Sequence, residues 1–349
     1  MLTQLKTGRR RLALAAAVAG LLATTACSAS NGAASEDNQL SVVGYSVLQA
    51  ANKPVFEDFE DTAEGKDVAF KTSYGASGDQ SRAVAGGLDA DYVHFSLETD
   101  VTRLVDAGLV ADDWKDGPTK GIVTSSVVVF VVREGNPKNI QTWDDLVKPG
   151  VEIITPNPGS SGSARWNILA GFGHVTANGG TEEEATAYTK KLLENTIALP
   201  GSGREATTAF TSGNGDVLLS YENEAILARQ NGEAVDYIIP PETLLIENPG
   251  AVTTDAKPAA ASFLDFLLGP VAQEEYAKSG FRPVIDGVET DVEGANHPSD
   301  PFPAPGKLLT IDGDFGGWAD AASKFFADGE DGGALGIIPQ LQQDTGKTE

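Results

Sequence analysis

Along this chain, short apolar runs alternate with longer stretches whose apolar residues recur at helical spacing. Leu40-Ser-Val-Val-Gly-Tyr predicts a strand, 54–61 a helix, Val68-Ala-Phe-Lys-Thr a strand, 77–88 a helix and Tyr92-Val-His-Phe-Ser a third strand. Such alternation builds a parallel sheet covered by helices. Farther on, the β-branched run 125–132 and the stretch 151–155 before Pro156 predict strands. Helices follow over 163–172, 182–195 and 204–212, strands over 216–221 and 236–239, and helix again over 257–279. The pattern is that of an α/β protein. Nothing recurs with a period of about 20–50 residues, which excludes a solenoid. The tail, with Asp328-Gly-Glu-Asp-Gly-Gly and a polar end, is expected to be a peripheral element ending in disorder.

The first apolar run differs from the others. Lys6, Arg9, Arg10 and Arg11 precede Leu12-Ala-Leu-Ala-Ala-Ala-Val-Ala-Gly-Leu-Leu-Ala, and Thr24-Thr25-Ala26-Cys27 follows. About 12 apolar residues fall short of the ~20 that span a bilayer. A basic start, a short apolar centre and small residues before a cut read as an export signal over 1–26. Cys27, the sole cysteine, falls where lipoprotein signals place the residue that is acylated and becomes the new N-terminus. Residues 27–38, rich in Ser, Ala, Asn and Gly, read as a flexible tether.

Composition narrows the chemistry. The 349 residues are 41% hydrophobic and 21% charged, ordinary for a globular protein, and carry a net charge of −25. Cleavage before Cys27 removes four basic residues and no acidic one, leaving −29. That balance argues against nucleic acid as a partner, because phosphate backbones are tracked by Lys and Arg clusters. One cysteine and three histidines build neither a disulfide framework nor a zinc site of the usual spacing. No metal or cofactor is expected. Chemistry is left to backbone amides, hydroxyls and carboxylates.

Three loops share one plan, a strand, a short Gly/Ser turn and a helix: Ser73-Tyr-Gly-Ala-Ser-Gly-Asp-Gln-Ser-Arg, Thr155-Pro-Asn-Pro-Gly-Ser-Ser-Gly-Ser-Ala-Arg-Trp-Asn and Pro200-Gly-Ser-Gly-Arg-Glu-Ala-Thr. The first N–H groups of a helix have no intrahelical partner, and the helix dipole favours negative charge there. Three such ends brought together would form an oxyanion site. Taken singly, each is more simply a cap and a turn. Gly201-Ser-Gly-Arg-Glu-Ala also matches G-x-G-x-x-A, with Glu222 and Glu224 about 20 residues on, a formal dinucleotide signal that suits an exported protein poorly. No G-x-S-x-G, G-x-x-x-x-G-K-[ST] or H-E-x-x-H occurs. His94, His174 and His297 are scattered, and Asp312-Gly-Asp314 does not continue as a calcium loop, so all read as structural. Glu222-Asn-Glu224 reads as the end of a strand.

At these loops the chain resembles the sulfate-binding proteins of ABC importers, in particular the lipoprotein form of Gram-positive actinobacteria. The matching stretches are Ser73-Tyr-Gly-Ala-Ser-Gly-Asp-Gln, Phe130-Val-Val-Arg-Glu-Gly-Asn-Pro-Lys, Trp143-Asp-Asp-Leu-Val-Lys-Pro-Gly, Ile154-Thr-Pro-Asn-Pro-Gly-Ser-Ser-Gly-Ser-Ala-Arg-Trp-Asn, Asp216-Val-Leu-Leu-Ser-Tyr-Glu-Asn-Glu-Ala and Gly280-Phe-Arg-Pro. The resemblance implies a two-lobed periplasmic-binding-protein fold of type II, each lobe a mainly parallel sheet flanked by helices, closing on a ligand in the hinge cleft. It implies 39–124 with 248–349 as one lobe and 125–247 as the other. It also implies a monomeric solute-binding protein, not an enzyme, that hands sulfate to permease subunits and touches the membrane only through a lipid on Cys27.

Carried over residue by residue, the resemblance implies that sulfate is held by the hydroxyl of Ser77, the hydroxyl and amide of Ser161, and the amides of Gly162, Ser163 and Gly203. Where better-known members offer an indole N–H, this chain has Tyr221. Ser163 replaces a glycine, and Ser46 stands where an Asp follows the first strand's Tyr. Arg204 and Ser46 are the expected supporting residues. Sulfate at neutral pH has no proton to donate, so a pocket of donors satisfies every oxygen. Hydrogenphosphate would set its O–H against donors, a mismatch worth up to ~10⁴ in affinity. Thiosulfate, molybdate and tungstate are rivals of the same class. An exported enzyme acting on sulfate or phosphate esters is the rival of another class.

Overall fold

The computed structural model describes residues 38–329 and 333–348. The expected signal peptide, Cys27 and the tether up to residue 37 lie outside the described residues. The first strands, β1 (Gln39–Tyr45), β2 (Ala69–Gly75) and β3 (Tyr92–His94), form a parallel group with β1 in the middle. Helices α1 (Leu48–Glu60), α2 (Ser77–Ala85) and α3 (Glu98–Asp106) follow them in turn. The helix expected from Pro54 starts instead at Leu48, with Pro54 inside it. Leu48, Ala51, Val55 and Phe59 fall on one buried face, and that burial outweighs the hydrogen bond the proline removes.

A second parallel group comprises β5 (Ile153–Ile154), β6 (Thr196–Ala198) and β7 (Val217–Tyr221). Two long strands join the groups: β4 (Ile122–Arg133) and β9 (Glu242–Val252). The sheet order is β2-β1-β3-β9-β4-β7-β5-β6, and every antiparallel pair among the named strands involves β4 or β9. The first half of β4 pairs with β9, and its second half with β7 and with β8 (Val235–Ile238). The result is two lobes threaded on two crossover strands. β4 is mostly β-branched and apolar because both faces of its second half are covered. Val128, Phe130 and Val132 enter one core cluster, while Val127, Val129 and Val131 enter another. The sequence pattern shows no strand at β9, whose Asn-Pro-Gly reads locally as a turn. Pro249 is tolerated there because it lies beside a break in register between Ile122 and Thr124, while its carbonyl accepts the Phe95 N–H at 2.9 Å.

The second half of the chain adds α4 (Trp143–Leu146), α5 (Gly162–Ala177), α6 (Glu182–Glu194), α7 (Gly203–Thr211) and α8 (Glu222–Gln230). The helix expected over 257–279 is two, α9 (Ala259–Leu267) and α10 (Pro270–Lys278). They part at Gly269, where Pro270 occupies the first helical position. The tail is also corrected. A short strand, β10 (Lys307–Leu309), pairs with β9, and α11 (Ile311–Phe315), α12 (Trp318–Phe326) and α13 (Ile337–Thr345) follow. Ile338 and Leu341 of α13 are buried, and α13 packs on α6 and α12. Trp318 stands edge-on to Trp166 at 4.7 Å, and Phe325 edge-on to Phe172 at 4.8 Å. An apolar stripe in a polar sequence thus orders α12 and α13 against α5 and α6, while 330–332 and 349 lie outside the described residues.

Candidate functional site

The site begins with how α5 and α7 start. Asn157 shapes the loop before α5: its N–H donates to Pro200 O at 2.8 Å, its carbonyl accepts the Ser161 N–H at 2.9 Å, and its Oδ1 accepts the Gly159 N–H at 2.9 Å. Ser161 is the N-cap. Gly162 and Ser163 open the helix, so their N–H groups have no intrahelical acceptor, and the first turn carries no acidic residue. At α7, the Ser202 hydroxyl accepts the Glu205 N–H at 3.2 Å, and the Glu205 carboxylate turns back to accept the Gly201 N–H at 3.1 Å. The two starts meet. A Cβ placed on Gly203 would lie 3.4 Å from Ser163 Oγ and 3.4 Å from Val47 of the β1–α1 turn.

The opposite lobe presents α2. Ser77 is its first residue, and Gly78 donates its N–H to Ser160 O at 3.1 Å, so the α2 start touches the loop before α5. The Ser77 hydroxyl accepts the Ser96 N–H at 2.9 Å and donates to the buried Asp100 Oδ2 at 2.6 Å. Arg103 Nη1 in turn donates to Asp100 Oδ1 at 3.0 Å. Two of the expected donors are therefore occupied within the protein: the Ser77 proton by Asp100 and the Ser161 N–H by Asn157. Ser46, the expected support, is half-buried and donates its N–H to Gly75 O at 2.7 Å.

Tyr221 ends β7 beneath these groups with no exposed surface. Its hydroxyl lies 2.7 Å from Ser96 Oγ. Asn248 of β9 donates from Nδ2 to Ser96 O at 3.2 Å and accepts the Tyr45 O–H at 2.9 Å. Trp166 Nε1 also donates to Ser96 O, at 2.9 Å. Burial pushes the Tyr221 phenol above its ordinary range, so it stays protonated. Ser96 is packed against α5 so closely that a Cβ on Gly162 would fall 2.5 Å from its Oγ; only glycine fits there.

Glu222 and Glu224 are not a strand end. They open α8, where the helix dipole favours acids, and both are enclosed. Glu224 pairs with Arg204 Nη2 at 2.8 Å and accepts the Thr207 O–H at 2.9 Å. Arg204 also reaches Val47 O at 3.4 Å. Glu222 holds Arg282 of the Gly280-Phe-Arg-Pro stretch through two contacts, 2.7 and 3.2 Å. Burial raises both carboxyls, and the arginines oppose the rise. Neither acid is left for a ribose hydroxyl. His94 and His174 sit in packed surroundings, and Asp312-Gly-Asp314 forms a capped turn in which Asp314 accepts the Thr310 N–H at 2.8 Å.

Ser77, Ser161, Gly162, Ser163, Gly203 and Tyr221 thus come to one place, linked through Ser96, with Arg204 beside them. The sequence pattern singles out neither Ser96 nor Asp100, Asn248 or Tyr45 as site residues. Each lies outside a Gly/Ser turn and joins the site through long-range packing, Tyr45 and Asn248 from strands β1 and β9, Ser96 from the bend after β3 and Asp100 from α3, which local pattern does not carry.

These features define a two-lobed α/β binding protein in which helix starts from both lobes meet beside the crossover strands. A family model for bacterial extracellular solute-binding proteins matches residues 40–282. The chain is 43% identical over 330 residues to the sulfate-binding protein of Synechococcus elongatus, covering 90% of this chain and 92% of the relative. The solved structure of the sulfate-binding protein SubI from Mycobacterium tuberculosis superimposes with a TM-score of 0.78 at 46% identity, over 83% of this chain and 100% of that one. The thiosulfate-binding protein of Pseudomonas aeruginosa is 33% identical over 312 residues, 85% of this chain and 92% of the relative. The chain belongs to the bacterial extracellular solute-binding proteins.

Proposed function

We propose that this protein captures sulfate outside the cytoplasm and delivers it to the permease subunits of an ABC importer, acting as a binding protein and not as an enzyme. The observation that carries the reading is the meeting of the α5 and α7 starts, Gly203 against Ser163, with no acidic side chain in the first turn of α5. Orphan N–H groups and hydroxyls gathered there suit a dianion without protons. Relatives named for sulfate binding at 43% and 46% identity support the same ligand. The proposed donors are Ser77, Ser161, Gly162, Ser163, Gly203 and Tyr221, with Ser77 turning from Asp100 and the Ser161 amide from Asn157 as the ligand enters. Arg204 and Ser46 support the edge. We place the lobe boundary on β4 and β9, with 125–247 as one lobe, 39–124 and the segment from 248 as the other, and the final helices lying across onto α5 and α6.

Export by the 1–26 signal and a lipid on Cys27 complete the proposal, since a lipid would hold a ligand-loaded monomer near its permease. Release of a Cys27→Ala variant into the medium is expected; its retention in washed membranes would remove the anchor. Thiosulfate is the second reading, favoured by the relative named for it at 33% identity. Calorimetry with sulfate, thiosulfate, molybdate and phosphate decides: sulfate tightest supports the reading, while absence of sulfate binding overturns it.

A further inference from the structure

Among the proposed donors, Tyr221 has ambiguous chemistry. A phenol donates one proton and also accepts, so by itself it would welcome a protonated oxyanion as readily as a bare one. Its partner Ser96 is held on all sides: the N–H goes to Ser77 Oγ, the carbonyl takes Trp166 Nε1 and Asn248 Nδ2, and the side chain is wedged under Gly162. Among the described residues, the Tyr221 oxygen is the sole hydrogen-bond partner of Ser96 Oγ. If the phenol donated to the serine, the serine proton would be buried with no acceptor, at 1% exposure. If the serine donates, its proton is satisfied, one phenol lone pair is filled, and the phenol proton turns to the side where Ser163 and Asn248 lie.

We propose that Ser96 is a positioning and specificity-determining residue: by donating to the Tyr221 oxygen, it makes the phenol a donor to the bound anion and fills a lone pair that a ligand proton could otherwise use. The proposal rests on the sulfate reading above. It assigns the rejection of protonated oxyanions partly to a residue that does not touch the ligand.

The test is calorimetry of the full chain and of Ser96→Ala, Tyr221→Phe and the double variant, with sulfate and inorganic phosphate at neutral pH, each checked for folding by its melting curve. Ser96→Ala should weaken sulfate by about tenfold, the worth of one hydrogen bond, while phosphate holds or gains. The sulfate-to-phosphate ratio should then fall by more than the sulfate loss alone. In the Tyr221→Phe background, Ser96→Ala should leave that ratio unchanged, since the lone pair it guards is gone. Equal losses for both anions would reduce Ser96 to a packing role and overturn the proposal, as would the same ratio change with and without the phenol. If the unaltered protein binds phosphate and not sulfate, the sulfate reading itself falls, and the proposal with it.

Discussion

Glu222 and Glu224 open the same helix, are both buried and both face an arginine, yet they belong to different parts of the molecule. Arg282, the partner of Glu222, is 14% exposed, and its other N–H groups end on the carbonyls of Phe302 and Pro303. That pair ties α8 to the 280–303 segment, with Glu222 fully enclosed and Arg282 largely so. Arg204, the partner of Glu224, is 33% exposed and sits one residue past Gly203, at the edge of the site. The acids are alike; what differs is the water available to the cation. Where both charges are dry, removing one leaves the other stranded, whereas a half-exposed arginine can return to solvent.

The comparison is broken most directly at the dry pair. Arg282→Ala should cost about 3–5 kcal/mol in urea unfolding, because it leaves Glu222 buried and unpaired, and the folded protein should bind sulfate as before. Lost affinity at unchanged stability would place Arg282 in the site and erase the distinction. Next in size is the ligand side itself. Ser161→Ala should weaken sulfate by roughly 10–100-fold, equivalent to ~1.5–3 kcal/mol, with little change in melting temperature; unaltered affinity would move the site elsewhere. Glu224→Gln, which keeps an acceptor for Thr207 and frees Arg204 to hydrate, should cost only about 1 kcal/mol. A loss as large as that of Arg282→Ala would show that the exposure of the arginine does not divide the two pairs.

Acid acts on the buried groups in opposite directions. Burial lowers His94 from 6.5 to about 3, with Thr124 at 3.2 Å and the rings of Tyr45, Tyr92 and Tyr276 around it. The unfolded chain takes up that proton first, so stability present above 6.5 drains away as the pH falls toward 3. Glu222 and Glu224, raised by burial, work oppositely: the folded protein is protonated first, and their contribution, complete below 4.5, is lost as the pH rises through their raised values. Glu224→Gln should therefore steepen the loss of melting temperature on acidification and His94→Gln should flatten it between pH 6.5 and ~5. An unchanged slope in His94→Gln would assign the acid sensitivity to other groups.

The three Gly/Ser turns were legible because their information is local: glycine, serine and proline before an apolar helical stripe set a turn and leave N–H groups unpaired. Two of those turns, before α5 and α7, meet as expected, and the third, before α2, touches them through Gly78 and Ser160. β9 was not legible, since Asn-Pro-Gly carries a turn signal that pairing with β4 and β3 overrides. The Pro54 helix start and the ordered tail misled for a related reason. In each, burial of a stripe of apolar side chains outweighed the local preference of a proline or of polar neighbours.

By itself the sequence determined the α/β alternation, the β-branched run of 125–132 and the three Gly/Ser turns whose amides and hydroxyls could face an anion, because periodicity and turn chemistry act over a few neighbouring residues. Tertiary structure alone decided that Ser77 gives its proton to Asp100, that Ser96 stands between Ser77 and Tyr221, and that two glutamates in one helical turn divide between frame and site. Those outcomes depend on residues 19 to 125 positions apart being brought within hydrogen-bond range by the packing of helices and turns at the strand ends. Both acids are enclosed; how much water reaches each partner arginine depends on what packs over it, and that is a property of the whole fold.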